Sequence, residues 1–151
     1  MEASPSALGR LHDLAVFVGV EEDLHAHLGR LVHLTASVTD AATCSIMLLS
    51  EGDADAPRLK LWCSTEALPS SAWNETPGRG DSIAGRVLEQ GRPLLIADIR
   101  SSEYAALARQ RETLGPSFIC TPISAARHVI GVMNLSSRPD TRPFDESDLA
   151  L

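Results

Sequence analysis

The stretch GRGDSIAGRVLEQGRPLLIAD, residues 78–98, carries the reading of this chain. Gly78 and Gly80 make a turn, and Asp81 or Ser82 then stands where a helix N-cap belongs, ahead of Ile83. The helix runs to about Gln90. Gly91 ends it and Pro93 opens a strand over 94–97, the usual punctuation of a helix stop. Upstream, CSIMLLS at 44–50 is apolar enough for the middle of a sheet. A breaker-rich turn, EGDADAP, follows at 51–57. In 58–65, Leu59, Leu61 and Cys63 alternate with Lys60, Trp62 and Ser64, which predicts the hairpin partner with Trp62 on the opposite face from those three. Residues 66–81 read as a long loop holding Pro69, Pro77, Gly78 and Gly80.

Downstream, 98–116 is polar and predicts a short helix around 104–114. Strands at 117–123 and 128–135 flank a turn at 125–127, and after a loop a closing helix begins at 144 and is expected to be cut short at 151. At the other end, residues 1–7 read as a leader. Leu8, Leu11, Leu14, Ala15 and Val18 recur at helical spacing until Gly19. A second helix opens in Glu21, Glu22 and Asp23, which suits the positive end of the helix dipole, with Leu24, Leu28, Leu31, Thr35 and Val38 as its apolar face. The order αα-ββ-α-β-(α)-ββ-α, with short turns between adjacent strands, predicts an α+β sandwich around a central antiparallel sheet of about five to six strands.

Composition bounds the rest. At 151 residues the chain fits one domain, and 44% hydrophobic against 22% charged residues is the balance of a folded globular protein. Thirteen Lys and Arg against 20 Asp and Glu leave a formal charge of −7. Such a surface lacks the cationic patch that phosphate backbones and anionic membranes require, so neither is an expected partner. MEASPSALGR has no basic head before an apolar run and reads as no signal peptide. No run approaches the ~20 apolar residues of a membrane span. The expected location is cytoplasmic, with the thiols of Cys44, Cys63 and Cys120 reduced and buried among apolar neighbours.

Three blocks, 78–98, 117–135 (SFICTPI, a short turn, then VIGVMNL) and 143–149 (PFDESDL), stand in order at a consistent spacing. Together they resemble the GAF domain, a small sensory module of bacterial signalling proteins. The resemblance covers about 21–151, leaving 1–20 as leader and first helix. It implies helices of both termini on one face of the sheet, and on the other face a ligand pocket or its remnant among loops and short helices. It implies a non-enzymatic sensor in signal transduction that binds a small molecule and relays its state through the terminal helices. The expected assembly is a homodimer, with an output domain or partner signalling protein beyond it. Members bind cyclic nucleotides, bilins, haem, iron, nitrate or metabolites, so the cofactor stays unknown at this point.

The expected ligand-binding residues are Met47, Trp62, Ser82, Ile83, Asp98, Ser117, Ile119, Thr121 and Asn134. Ser82 and Ile83 stand at a helix N-terminus, where unpaired N–H groups favour an anion. Asp81 opposes one there, and a plain capping loop is the simpler alternative. Trp62 would line a pocket with Met47, Ile83 and Ser117, or else pack beneath the 66–80 loop. The cyclic-nucleotide signature of some family members fails here: Leu135 and Leu149 stand where its Lys and Glu belong, which leaves Asn134, Phe144 and Asp148 as fold residues. No Cys-His pair offers bilin attachment. His25 and His27 point to nearly opposite sides of a helix; with His12, His33 and His128 they read as solvated, and no metal site is expected. Two alternatives remain: a pocketless dimerisation or interaction scaffold, and a Cys-dependent free methionine sulfoxide reductase using Cys63 or Cys120.

Overall fold

A computed structural model describes residues 24–50, 55–68, 70, 76–77, 82–108, 115–137 and 142–150. The expected leader, the first helix at 8–18, most of the loop at 66–81 and positions 109–114 of the short helix lie outside the described residues.

Helix α1 (Leu24–Thr39) leads into strands β1 (Thr43–Leu49), β2 (Arg58–Ser64) and β3 (Thr76–Pro77). Helix α2 (Ile83–Gln90), strand β4 (Leu94–Ile96), a 3-10 turn (Ile99–Ser101) and helix α3 (Ala105–Ala108) follow. Strands β5 (Phe118–Ala125) and β6 (His128–Ser136) and helix α4 (Glu146–Leu149) complete the chain. The strands form one sheet in the order β3-β2-β1-β6-β5-β4, and every neighbouring pair is antiparallel. This is the α+β architecture expected. β3 corrects one expectation, since Thr76 and Pro77 lie inside the predicted loop yet pair with Leu59 and Arg58. Two residues carry no alternation to read, and an edge strand tolerates the N–H that Pro77 lacks.

The sheet has an apolar core on each face. On one, α1 and α4 cover Cys44, Ile46, Leu48, Cys63, Ile119, Ile130, Leu135 and Phe144. On the other, α2, the 3-10 turn and Tyr104 cover Leu59, Ile96, Phe118, Cys120 and Val132. Local chemistry sets the ends of α2. The Ser82 hydroxyl accepts a hydrogen bond from the Gly85 amide at 3.0 Å. Gly91 closes the helix at φ 65°, a left-handed conformation that costs glycine nothing. At the other terminus, Asp145 and Asp148 form a capping box, and Arg142 reaches both oxygens of the buried Asp148 at 3.0 Å. That hydrogen bonding holds the Asp148 carboxyl below its ordinary pKa.

Helix α1 does not bury the stripe its periodicity suggested. Leu24, Leu28, Val32 and Ala36 face the sheet, whereas Leu31, Leu34 and Val38 are 43%, 63% and 57% exposed. The helix carries more apolar residues than one sheet face can cover, so spacing alone could not choose between two overlapping stripes.

Trp62 is the second correction. The β1–β2 register slips between Ile46 and Met47: Ile46 pairs with Cys63 but Met47 pairs with Leu61, leaving Trp62 as the extra residue of a bulge. The expected alternation therefore breaks. Leu59 packs under α2, while Trp62 joins Cys63 against the α1 core. Its ring centroid lies 6.2 Å from that of His25. It lines no site with Met47 and Ile83, because Leu59 and Leu61 take the α2 side of β2 and Trp62 alternates away from them; what the bulge changes is Cys63, which comes round to the side of Trp62.

Candidate functional site

The expected site residues separate into distinct groups. Met47 and Ile83 pack into the core beneath α2. Asn134 pairs directly with Cys120 across β5–β6 and so shares that face. These three lie on the same side of the sheet. Ile119 belongs to the α1 core, and Thr121, opposite Met133, lies on the same side. With Trp62, they stand on the wrong side of the sheet to join the other three, because side chains two apart along a strand share a face.

The remaining candidates already hold the fold together. Ser82 caps α2. Asp98 accepts from the Arg100 amide and grips the Arg100 guanidinium at 2.8 and 2.9 Å, hydrogen bonds that lower its pKa. Ser117, fully buried, donates to the Ile96 carbonyl at 3.1 Å and accepts from the Phe144 amide at 2.8 Å.

Sequence reasoning missed the polar group nearest the α2 core. Tyr104, the only tyrosine in the chain, is 6% exposed. Its ring lies beneath the Arg86 guanidinium, 5.4 Å from centroid to Cζ, and Arg86 binds Glu103 at 2.7 Å. Burial pushes the Tyr104 phenol pKa up, against the pull of Arg86. Its uniqueness was the one available signal, because Tyr104 falls in a polar stretch without periodicity.

The thiols are divided between the faces. Cys44 and Cys63 belong to the α1 core and Cys120 to the α2 core, and all are buried. Burial, reinforced by Cys63, pushes the Cys44 pKa up to about 12, and burial also raises Cys63. Among the described residues, His25, His27, His33 and His128 are all exposed. No described helix is long and apolar enough to cross a membrane.

The GAF domain family model matches residues 23–151. The fold is similar to the GAF domain of an Acinetobacter phosphoenolpyruvate-protein phosphotransferase, at TM-score 0.67 and 21% identity over 98% of this chain and 86% of that one. It is also similar to a Staphylococcus aureus NreA protein mutated in its nitrate binding site, at TM-score 0.65 and 19% identity over 85% of this chain and 93% of that one. A free methionine-R-sulfoxide reductase from Neisseria meningitidis, solved with its substrate, matches at TM-score 0.64 and 22% identity over 98% and 84%. No curated protein sequence matches the chain. At these identities the likeness is one of fold, and the same fold serves quite different ends in these neighbours.

Proposed function

The chain belongs to the GAF domain family, whose members generally act in sensing and signalling, and on that premise we propose that it is a non-enzymatic, cytoplasmic sensory domain that takes a small molecule against its α2 face. One observation carries the reading. Of the two sheet faces, the one under α2 carries Met47, Ile83 and the buried Tyr104, with Asn134 on the same side of the sheet. The other is packed by the two helices α1 and α4. A ligand under α2 would bias strands that those helices also cover, giving an output element differential affinity for two states.

Self-association extends the reading. Leu31, Leu34 and Val38 are spaced three and four apart on the outer side of α1, the spacing of a helix-pairing seam. A homodimer would form there, with an output domain or signalling partner beyond it.

Native mass spectrometry of the purified protein, beside a denatured control and an absorbance spectrum, tests both parts. The expected result is an extra mass lost on denaturation and a dimer peak. An empty protein that still dimerises would favour the pocketless scaffold instead.

The reductase reading has less support. A nucleophilic thiol needs a depressed pKa and access to substrate. Here burial raises Cys44 and Cys63, and Cys120 is fully buried on the other side of the sheet. The native protein is expected to leave all three thiols unreacted towards a chromogenic disulfide at neutral pH and to release three equivalents once denatured. Rapid reaction of Cys63 or Cys120 in the folded protein, with thioredoxin-dependent turnover of free methionine sulfoxide, would restore the enzyme.

A further inference from the structure

Among the described residues, two buried side-chain oxygens have no hydrogen-bond partner: Ser50 Oγ and the Tyr104 hydroxyl. Ser50 follows the last residue of β1, and its amide is tied to the Arg58 carbonyl at 2.9 Å. Tyr104 is different. A buried donor without an acceptor is disfavoured, and native proteins keep few of them. This one sits in the α2 core, with the Arg86 guanidinium over its ring. A phenol O–H lacking an acceptor beside a cation makes a pair of donors of one kind. Both are suited to an anionic oxygen.

Glu103 supplies part of what that pair lacks. Its carboxylate binds Arg86 at 2.7 Å, yet its side chain is 63% exposed and that of Arg86 34%. An ion pair so open to water holds weakly and exchanges readily. The geometry points to an oxyanion site: we propose that Arg86 and Tyr104 recognise a small molecule bearing a carboxylate or similar oxyanion, and that Glu103 occupies the guanidinium until the ligand displaces it. The planar fork of Arg86 pairs with two anionic oxygens, and the Tyr104 hydroxyl gains the acceptor it lacks. The inference rests on the sensory reading of the α2 face and adds the ligand's charge to it. It also accounts for a cationic recognition group in a chain of net charge −7, where the surface as a whole repels anions.

Thermal unfolding in sodium acetate, nitrate and phosphate, against sodium chloride at matched ionic strength, tests the site in wild type, Glu103→Gln and Tyr104→Phe. At least one of these anions is expected to raise the wild-type melting temperature saturably. Glu103→Gln removes one internal competitor and is expected to lower the half-saturating concentration about two- to fivefold, the worth of an exposed ion pair. Tyr104→Phe is expected to melt no lower than wild type without salt, having lost only an unpartnered hydroxyl, and to lose the anion response. The assignment is overturned by a Glu103→Gln titration identical to wild type, by a full response in Tyr104→Phe, or by no response in any variant. A molecule that co-purifies equally with wild type and Tyr104→Phe would also overturn it, while leaving the sensory reading intact.

Discussion

Replacing Gly131 with alanine is expected to disrupt the sheet at its centre. Gly131 lies in β6 opposite Leu48 of β1 and Ile123 of β5, buried between the two longest ladders. A Cβ there would stand 2.2 Å from the Met47 carbonyl oxygen, 2.8 Å from Leu48 Cδ2 and 3.0 Å from Leu48 Cα. Two of those three atoms are backbone, so no rotamer change relieves the contact; β1 would have to move away from β6 and lose ladder hydrogen bonds. Overpacking in a close-packed core commonly costs 1–3 kcal/mol, and a backbone clash between central strands belongs at about 3 kcal/mol or beyond. Against a total stability of about 5–15 kcal/mol, that is a large share. Urea titration followed by circular dichroism should show a much lower midpoint or no folded baseline. A wild-type midpoint would mean that the strands tolerate a wider separation than their register implies. The glycine is required here by close approach of a neighbouring chain, not by an unusual dihedral.

Ser117→Ala should be the next most damaging change, although it removes a single oxygen. The hydroxyl ties together three separate parts of the chain: the end of β4 through Ile96, the start of β5, and the segment entering α4 through Phe144. Its own amide and carbonyl are both bonded to Ser137, which fixes the side chain's position. Alanine leaves the Phe144 N–H and the Ile96 carbonyl without their partner in a buried place. Each unsatisfied group costs about 1–3 kcal/mol, so a loss of about 2–3 kcal/mol is expected after partial relaxation. Ser82→Ala, at an exposed cap, should cost only about 1 kcal/mol. The contrast between the two serines in parallel denaturation curves is the check. Equal losses would place Ser117 among ordinary surface hydroxyls and leave it open to a ligand role.

How far the chain could be read in advance depended on the range of the interaction that decided each feature. Ser82 and Gly91 cap α2 through bonds that span only a few residues, so the helix could be placed by inspection. The hairpin between β5 and β6 closes through Ala126 and Arg127 at φ 49° and 68°. Neither is the glycine or asparagine that favours such a turn, and it was the two apolar runs on either side that revealed it. The site was less legible. Trp62 read as a pocket residue by alternation, and Ile119 and Thr121 stood among the expected ligand-binding residues, yet all three face α1. Tyr104 and Arg86, 18 positions apart in the chain, meet only because α2 and the segment before α3 cover the same patch of sheet.

By itself, then, the sequence determined the order of the described elements apart from β3, the caps of α2 and the β5–β6 turn, because glycines, prolines, capping serines and apolar period act within a few residues, and its three blocks carried the family resemblance. The tertiary structure decided which face each side chain serves. One extra residue in β2 put Trp62 and Cys63 on the same face, away from Leu59. The surplus of apolar residues on α1 left Leu31, Leu34 and Val38 outside. Packing turned Ser117 inward as a structural joint and placed Tyr104 beneath Arg86. Each of those outcomes is set by strand register and by how much surface the opposing layer can cover, and both exist only once the layers have met.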